Sequence, residues 1–224
     1  MIMAAEKQGE RVGLLGGTFN PVHMGHLRGA EEIRELFQLD RVIFIPAKLP
    51  PHKVRAGVMP ILHRFNMVEL AIRGNHHFTC SEMELKRKGK SYTVHTINHF
   101  LRHDEKAAHI FFILGVDAFR EMKIWKDHEK VFSLCDWIVM DRPGNGRRGL
   151  REIIPVDLKQ DFCYESKSRT LVHRSNHRIY FAGITLLDIS SSKIRERIKR
   201  GESVRYLLPE SVEEYIGMNQ LYRD

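Results

Sequence analysis

The chain has 224 residues, 42% of them hydrophobic, and carries 36 Lys+Arg against 28 Asp+Glu for a formal net charge of +8. This suits one sizeable domain with a real core. No apolar run is long enough to span a bilayer, and three scattered cysteines (Cys80, Cys135, Cys163) fit reduced thiols in the cytoplasm rather than a disulfide framework. Met1–Glu10 has no apolar stretch of the kind a signal peptide needs. The positive balance favours anionic partners, with nucleotides, nucleic acid and acidic lipid all open on charge alone.

Val12–Leu15 reads as a buried strand that ends at Gly16 and Gly17, where the absence of a Cβ lets the chain turn and approach a ligand. Pro21 holds the loop that follows. A helical pattern starts near Met24, with Leu27, Ala30, Ile33 and Phe37 on one face. Strand, glycine turn and helix form the first half of a nucleotide-binding βαβ unit. Neither G-x-G-x-x-G nor a Walker A sequence is present. Instead His23 and His26 flank Met24 and Gly25. On a first helical turn both rings fall on one side, beside free N–H groups and the positive end of the helix dipole. That setting suits a phosphate gaining charge; the plain alternative is a glycine turn with two surface histidines.

Arg41–Pro46 reads as a second buried strand, reached by a right-handed crossover. Pro50, Pro51, His52 and Lys53 make a proline-stiffened loop. Pro60–Arg73 is a helix with Ile61, Phe65, Val68 and Ile72 on one face and Gly74 as its stop. His77–Leu85 is expected to be extended. Ser91, Tyr92 and Thr93 open a further helix that Ser91 or Thr93 can cap, with Val94, Ile97 and Leu101 buried. His95, His99 and His103 are spaced for a metal, but no Cys or carboxylate set completes a site, so a solvated polar face is the better account.

His109–Leu114 is a buried strand running into Gly115-Val116-Asp117, where a carboxylate just past a strand end can accept a ribose hydroxyl. Trp125 sits in a short polar segment, and core packing is as good an account of it as function. Lys126–Cys135 reads as mostly helical, and Trp137–Met140 as a strand ending in Asp141-Arg142-Pro143-Gly144. In 143–178 the periodicity breaks and basic residues are frequent: Arg147, Arg148, Arg151, Lys159, Lys167, Arg169, Arg174 and Arg178. A solvated, partly mobile insertion with some local structure is expected. Strand character returns over Arg178–Leu186, through Ile179, Phe181 and Ile184. Asp188-Ile189-Ser190-Ser191-Ser192-Lys193-Ile194-Arg195 then opens an amphipathic helix that ends before Gly201. Serines at a helix start satisfy free N–H groups; with Arg195 one turn inside, they also make an anion site. Leu208–Ile216 closes as a short helix, with Pro209 in its first turn.

Two of these strings carry a resemblance. Gly16-Gly-Thr-Phe-Asn-Pro-Val-His-Met-Gly-His26 resembles the (H/T)-x-G-H signature of the nucleotidyltransferase superfamily, most closely that of the bacterial nicotinate-nucleotide adenylyltransferases, although Asn20 stands where Asp is commoner. Ile189-Ser-Ser-Ser-Lys-Ile-Arg195 is similar to that family's second signature. Arg142-Pro143-Gly144 and Gly115-Val116-Asp117 also match, with Val116 in place of alanine. The likeness runs from about Val12 to Ile216 apart from the insertion.

The order of strands and helices gives an α/β fold, a doubly wound, Rossmann-like, mainly parallel sheet with helices on both faces, and the resemblance agrees with it. The resemblance implies one domain over 1–224, with the basic insertion at 143–178 and a small helical part at 190–224. The implied reaction is transfer of AMP from ATP to nicotinate mononucleotide, giving nicotinate adenine dinucleotide and pyrophosphate in NAD biosynthesis. Mg²⁺ would come with ATP, and the protein would supply no metal ligand set. His23 and His26 are implied as catalytic. Gly16, Gly17, Thr18, Phe19, Gly25, Gly115, Asp117, Ile189, Ser190, Ser191 and Arg195 are implied on ATP. Asn20, Lys53, Ser91, Tyr92, Thr93 and Trp125 are implied on the mononucleotide, with Trp125 stacked on the pyridine ring. Phosphopantetheine adenylyl transfer and cytidylyl transfer are the nearest rivals, against which Trp125 and Ser91–Thr93 argue. A basic nucleic-acid-binding protein is the rival from another class, and no RNP1, zinc-finger or basic-zipper pattern supports it. No membrane or nucleic-acid partner is expected, and a homo-oligomer stays open.

Overall fold

The computed structural model describes residues 9–49, 57–141, 154, 156–168 and 170–223. The expected positions Lys53 and Arg142–Gly144, with Arg147, Arg148, Arg151 and Arg169, lie outside the described residues.

Among the described residues eight strands form one sheet: β1 (Glu10–Gly17), β2 (Arg41–Pro46), β3 (Phe78–Cys80), β4 (Ala107–Gly115), β5 (Asp136–Asp141), β6 (Phe162–Glu165), β7 (Thr170–His173) and β8 (Arg178–Gly183). Their order is β3-β2-β1-β4-β5-β8-β7-β6. Every pair from β3 to β8 is parallel, and β7 and β6 add an antiparallel edge. The order runs one way from β1 to β2 and the other way from β1 to β4. The crevice beyond the carboxyl ends of β1 and β4 is thus the topological switch point, where such sheets bind ligands.

The central strands are apolar without interruption because both faces are covered. Side chains alternate at period 2. Val12, Leu14, Phe112 and Leu114 enter one core with Ile97, Phe119, Phe132 and Trp137. Leu15, Phe44, Phe111 and Ile113 enter the other, with Ala30 and Ile33 of α1 (Met24–Leu36) and Met67 and Val68 of α2 (Ile61–Ile72). The second core also takes Ile194 of the helix Ser191–Lys199 and Val212 of the helix Glu210–Met218.

Several local expectations are corrected. His77–Leu85 is extended only over β3; Met83–Lys86 forms a helical turn, α3, that buries Glu84. In α4 (Thr93–His103) the buried face is Val94, Thr96, Ile97 and Phe100, while Leu101 is exposed. In α2 it is Arg64, Met67, Val68 and Ile72, and Ile61 and Phe65 are only half-buried. Lys126–Cys135 is helical only over His128–Val131, because Asp127 adopts a left-handed φ of 51° that no helix propagates through. The last parallel strand ends at Gly183, short of the exposed Leu186. The 143–178 stretch is not simply solvated: β6 and β7 extend the sheet, and Ile154, Leu158, Phe162 and Leu171 are buried in the first core. Among the described residues no helix is long and apolar enough to cross a membrane.

Among the described residues, the α-helices after α4 are α5 (Val116–Arg120), α6 (His128–Val131), α7 (Ser191–Lys199) and α8 (Glu210–Met218).

Candidate active site

Gly16 and Gly17 do not turn the chain; both remain in β1. Their missing side chains serve internal packing. A Cβ on Gly17 would lie 2.7 Å from the Phe19 ring, and one on Gly16 would lie 3.1 Å from Phe112. The turn falls at Phe19, whose φ of 47° is left-handed and costs a non-glycine residue roughly 1–2 kcal/mol. Burial of its ring offsets that cost: Phe19 is 2% exposed, tilted against Phe44 and edge-on to His26 at 5.1 Å.

His23 is the residue that caps α1, and His26 stands one turn inside. Their ring centroids are 3.7 Å apart, so the expected pairing on one side of the helix is present. His26 Nδ1 accepts the His23 backbone N–H at 3.2 Å, which puts the proton of the neutral ring on Nε2. His23 is buried, and its Nδ1 has no hydrogen-bond partner among the described residues. Burial lowers its pKa to about 4, so the ring is neutral at pH 7. Burial thus makes His23 an uncharged ring at the N-terminus of α1. Gly25 leaves room for this ring, since a Cβ there would lie 3.2 Å from His23 Nδ1.

The two signature strings, far apart in sequence, meet here. Ser191 Oγ donates to the Pro21 carbonyl at 2.8 Å, and Arg195 Nη1 donates to the Asn20 carbonyl at 2.8 Å. Ser190 caps α7 by accepting from the Lys193 N–H. Ile189 packs against the second core close to Gly25.

Beside the carboxyl ends of β1 and β4 lies a cavity of ≈ 230 Å³. It gathers Gly16, Gly17 and Thr18 with Ser91, Tyr92, Thr93 and Trp125. Trp125 is half-buried and packs against the first core, and it also lines the cavity. Tyr92, not Ser91 or Thr93, stands at the cap position of α4, and no side chain caps that helix. Ser91 Oγ is engaged elsewhere: it accepts from the Lys48 N–H at 2.9 Å and donates to Glu84. Lys126 Nζ lies 5.0 Å from the Tyr92 ring at the cavity wall. Gly115 caps α5 beside open space, and the exposed Asp117 lies 3.5 Å from Arg120. Neither lines this cavity, nor do His23, His26, Ser190 or Arg195.

Asn20 is buried, with its side chain fully engaged in the protein. Nδ2 donates to the Gly57 carbonyl at 2.8 Å, and Oδ1 accepts from the Met59 N–H and the Tyr222 hydroxyl. Two further site residues escaped the sequence reading. Glu84 is buried at the cavity wall under Ser91 and Thr96, and Arg64 is buried behind Thr18. The signal for Arg64 was its place at i, i+3, i+4 and i+8 with Met67, Val68 and Ile72, a core position for a charged residue. Burial raises the thiol pKa of Cys80 and Cys135, which leaves both unactivated.

The chain matches the cytidylyltransferase-like family over residues 14–197. A protein of Geotalea daltonii named "Probable nicotinate-nucleotide adenylyltransferase" is 46% identical over 96% of this chain and 99% of its own length. The chain belongs to the nicotinate-nucleotide adenylyltransferase family. A family member from Syntrophotalea carbinolica is 45% identical over 95% of this chain and 97% of its own. The fold agrees with the nicotinic acid mononucleotide adenylyltransferase of Plasmodium falciparum complexed with NaAD, at a TM-score of 0.69 and 16% identity over 95% of this chain and 97% of that one.

Proposed function

We propose that this protein transfers AMP from ATP to nicotinate mononucleotide, releasing pyrophosphate. The observation that carries this is the junction of the two family signatures at the start of α1, through Ser191–Pro21 and Arg195–Asn20, beside a cavity walled by Trp125.

The mononucleotide's 5′-phosphate is itself a nucleophile and attacks the α-phosphorus of ATP in line, so positioning and charge neutralisation supply most of the catalysis. His23 and His26 donate to the α-phosphate as it gains charge. Thr18 and the backbone around Gly16, Gly17, Phe19 and Gly25 hold phosphate oxygens. Ser190, Ser191 and Arg195, with Ile189 alongside, face the β- and γ-phosphates, and Gly115 and Asp117 face the adenosine. Trp125 stacks on the pyridine ring, while Tyr92, Thr93 and the free N–H groups of α4 receive its carboxylate. Ser91 acts from behind, through Lys48 and Glu84, and Asn20 acts by fixing its loop rather than by touching the mononucleotide. Lys53 is kept as a phosphate partner on the family resemblance alone. No group of three or more His, Cys, Asp or Glu among the described residues could hold a metal. Mg²⁺ would come with the phosphates of ATP, where it would supply neutralisation of charge on the leaving pyrophosphate. The proposed location is the cytoplasm, with the whole of 1–224 as one domain.

The test is pyrophosphate release from ATP and nicotinate mononucleotide, beside CTP and phosphopantetheine. Release with either rival substrate and none with nicotinate mononucleotide would overturn the assignment.

A further inference from the structure

Arg64 is 1% exposed. A buried guanidinium normally has a carboxylate partner, yet Arg64 has no ion-pair partner among the described residues. Its hydrogen bonds go instead to three backbone carbonyls from three segments. Nε donates to Met59 at 2.8 Å, Nη1 to Thr18 at 2.7 Å and Nη2 to Lys48 at 3.2 Å. Burial lowers its pKa to about 10, which leaves it charged at neutral pH.

The three segments surround the site. Thr18 lines the cavity and leads into the left-handed Phe19. Lys48 follows Ala47, which also lines the cavity, and its N–H reaches Ser91. The Met59 N–H bonds to Asn20 Oδ1, and the Asn20 carbonyl is bound by Arg195. Carbonyl oxygens repel phosphate. Arg64 binds three of them, and Arg195 binds that of Asn20.

We propose that Arg64 is a positioning residue for adenylyl transfer: it turns the carbonyls of Thr18, Lys48 and Met59 away from the phosphates and holds the β1–α1 loop in register with the mononucleotide wall. This rests on the reaction assigned above. A buttress that aligns two substrates acts on turnover more than on the binding of either one. Misplacement by about 1 Å costs on the order of 10²-fold in rate.

The test compares Arg64→Lys and Arg64→Met with the full-length wild-type enzyme. Measurements are the melting temperature, kcat and the two Michaelis constants at a temperature where all are folded. The expected result is a kcat lower by on the order of 10²-fold in Arg64→Met, partial recovery in Arg64→Lys, and smaller changes in both Michaelis constants. A lowered melting temperature with wild-type kcat would make Arg64 a structural residue only and overturn the proposal. Should neither variant fold, hydrogen exchange in the wild-type protein decides it: Arg64 Nε–H and the Thr18–Phe19 amides must slow together when a non-hydrolysable ATP analogue binds. Slowing of the amides with unchanged Arg64 exchange overturns the proposal. Wild-type protein that releases no pyrophosphate would sink the assigned reaction instead, and the exchange experiment would still decide Arg64.

Discussion

Arg195 Nη1 donates to the carbonyl of Asn20, 175 residues earlier in the chain, at 2.8 Å. One guanidinium edge thus fastens the helix near the end of the chain to the loop before its first helix. The rest of the group remains for the triphosphate tail proposed above. Arg195→Ala is expected to raise the Michaelis constant for ATP far more than that for nicotinate mononucleotide, and Arg195→Lys to recover part of the loss. Equal effects on both substrates, in kinetics and in direct binding, would remove the triphosphate role.

His23→Ala and His26→Ala are each expected to lower kcat by roughly 10²-fold or more while the protein stays folded, since each removes a donor proposed to meet developing charge. Near-normal turnover in two folded variants would disprove the catalytic assignment.

His23 also makes a prediction about acid stability. Its folded pKa, about 4, is below its unfolded value near 6.5. Between those values the unfolded chain binds the proton and the native state does not, so stability falls as pH drops through this window. The full effect is about 3 kcal/mol at most. His23→Asn should flatten the melting temperature from pH 7 to pH 4 relative to wild type. Parallel curves for the two proteins would show that burial of this ring is not linked to protons.

Gly17→Ala puts a methyl group 2.7 Å from the Phe19 ring. That ring has little freedom to retreat, because Phe44 and His26 border it. Overpacking of this kind costs about 1–3 kcal/mol, and here it also moves a neighbour of the proposed catalytic pair. Both the melting temperature and kcat should fall. A fall in neither would mean that the loop is looser than this packing requires.

Trp125→Ala is expected to raise the Michaelis constant for the mononucleotide and to leave that for ATP nearly unchanged. The acid mononucleotide should be preferred over the amide, by ~10⁴ or more where the amide leaves donors mispaired. Thr93→Ala should cost little, because the donors proposed there are backbone groups at the start of α4. Side-by-side kcat/KM values for acid and amide decide the point, and equal values would show that this wall of the cavity has been misassigned.

The sequence by itself determined the parts in which one local pattern had one outcome. The mostly β-branched apolar run Val42–Ile45, closed by Pro46 and too short for a helix, reads as a strand buried on both faces, and β2 spans Arg41–Pro46. The spacing of His23 and His26 placed both rings on one side of a helix start before any coordinates, and the two signatures named the family. Tertiary structure decided the rest. Glycines 16 and 17 looked like a turn, but their need for no side chain comes from Phe19 and Phe112, and a ring packed from elsewhere leaves no local trace. That the Asn20 side chain bonds to Gly57, Met59 and Tyr222 could not be read from its neighbours in sequence. The 143–178 stretch had no period because short antiparallel edge strands carry few alternations, yet β6 and β7 still find the sheet edge at β8. Arg64 was hidden for a related reason. A charge at a core position has meaning only once the three carbonyls around it are known, and these come from segments that meet only in the folded chain.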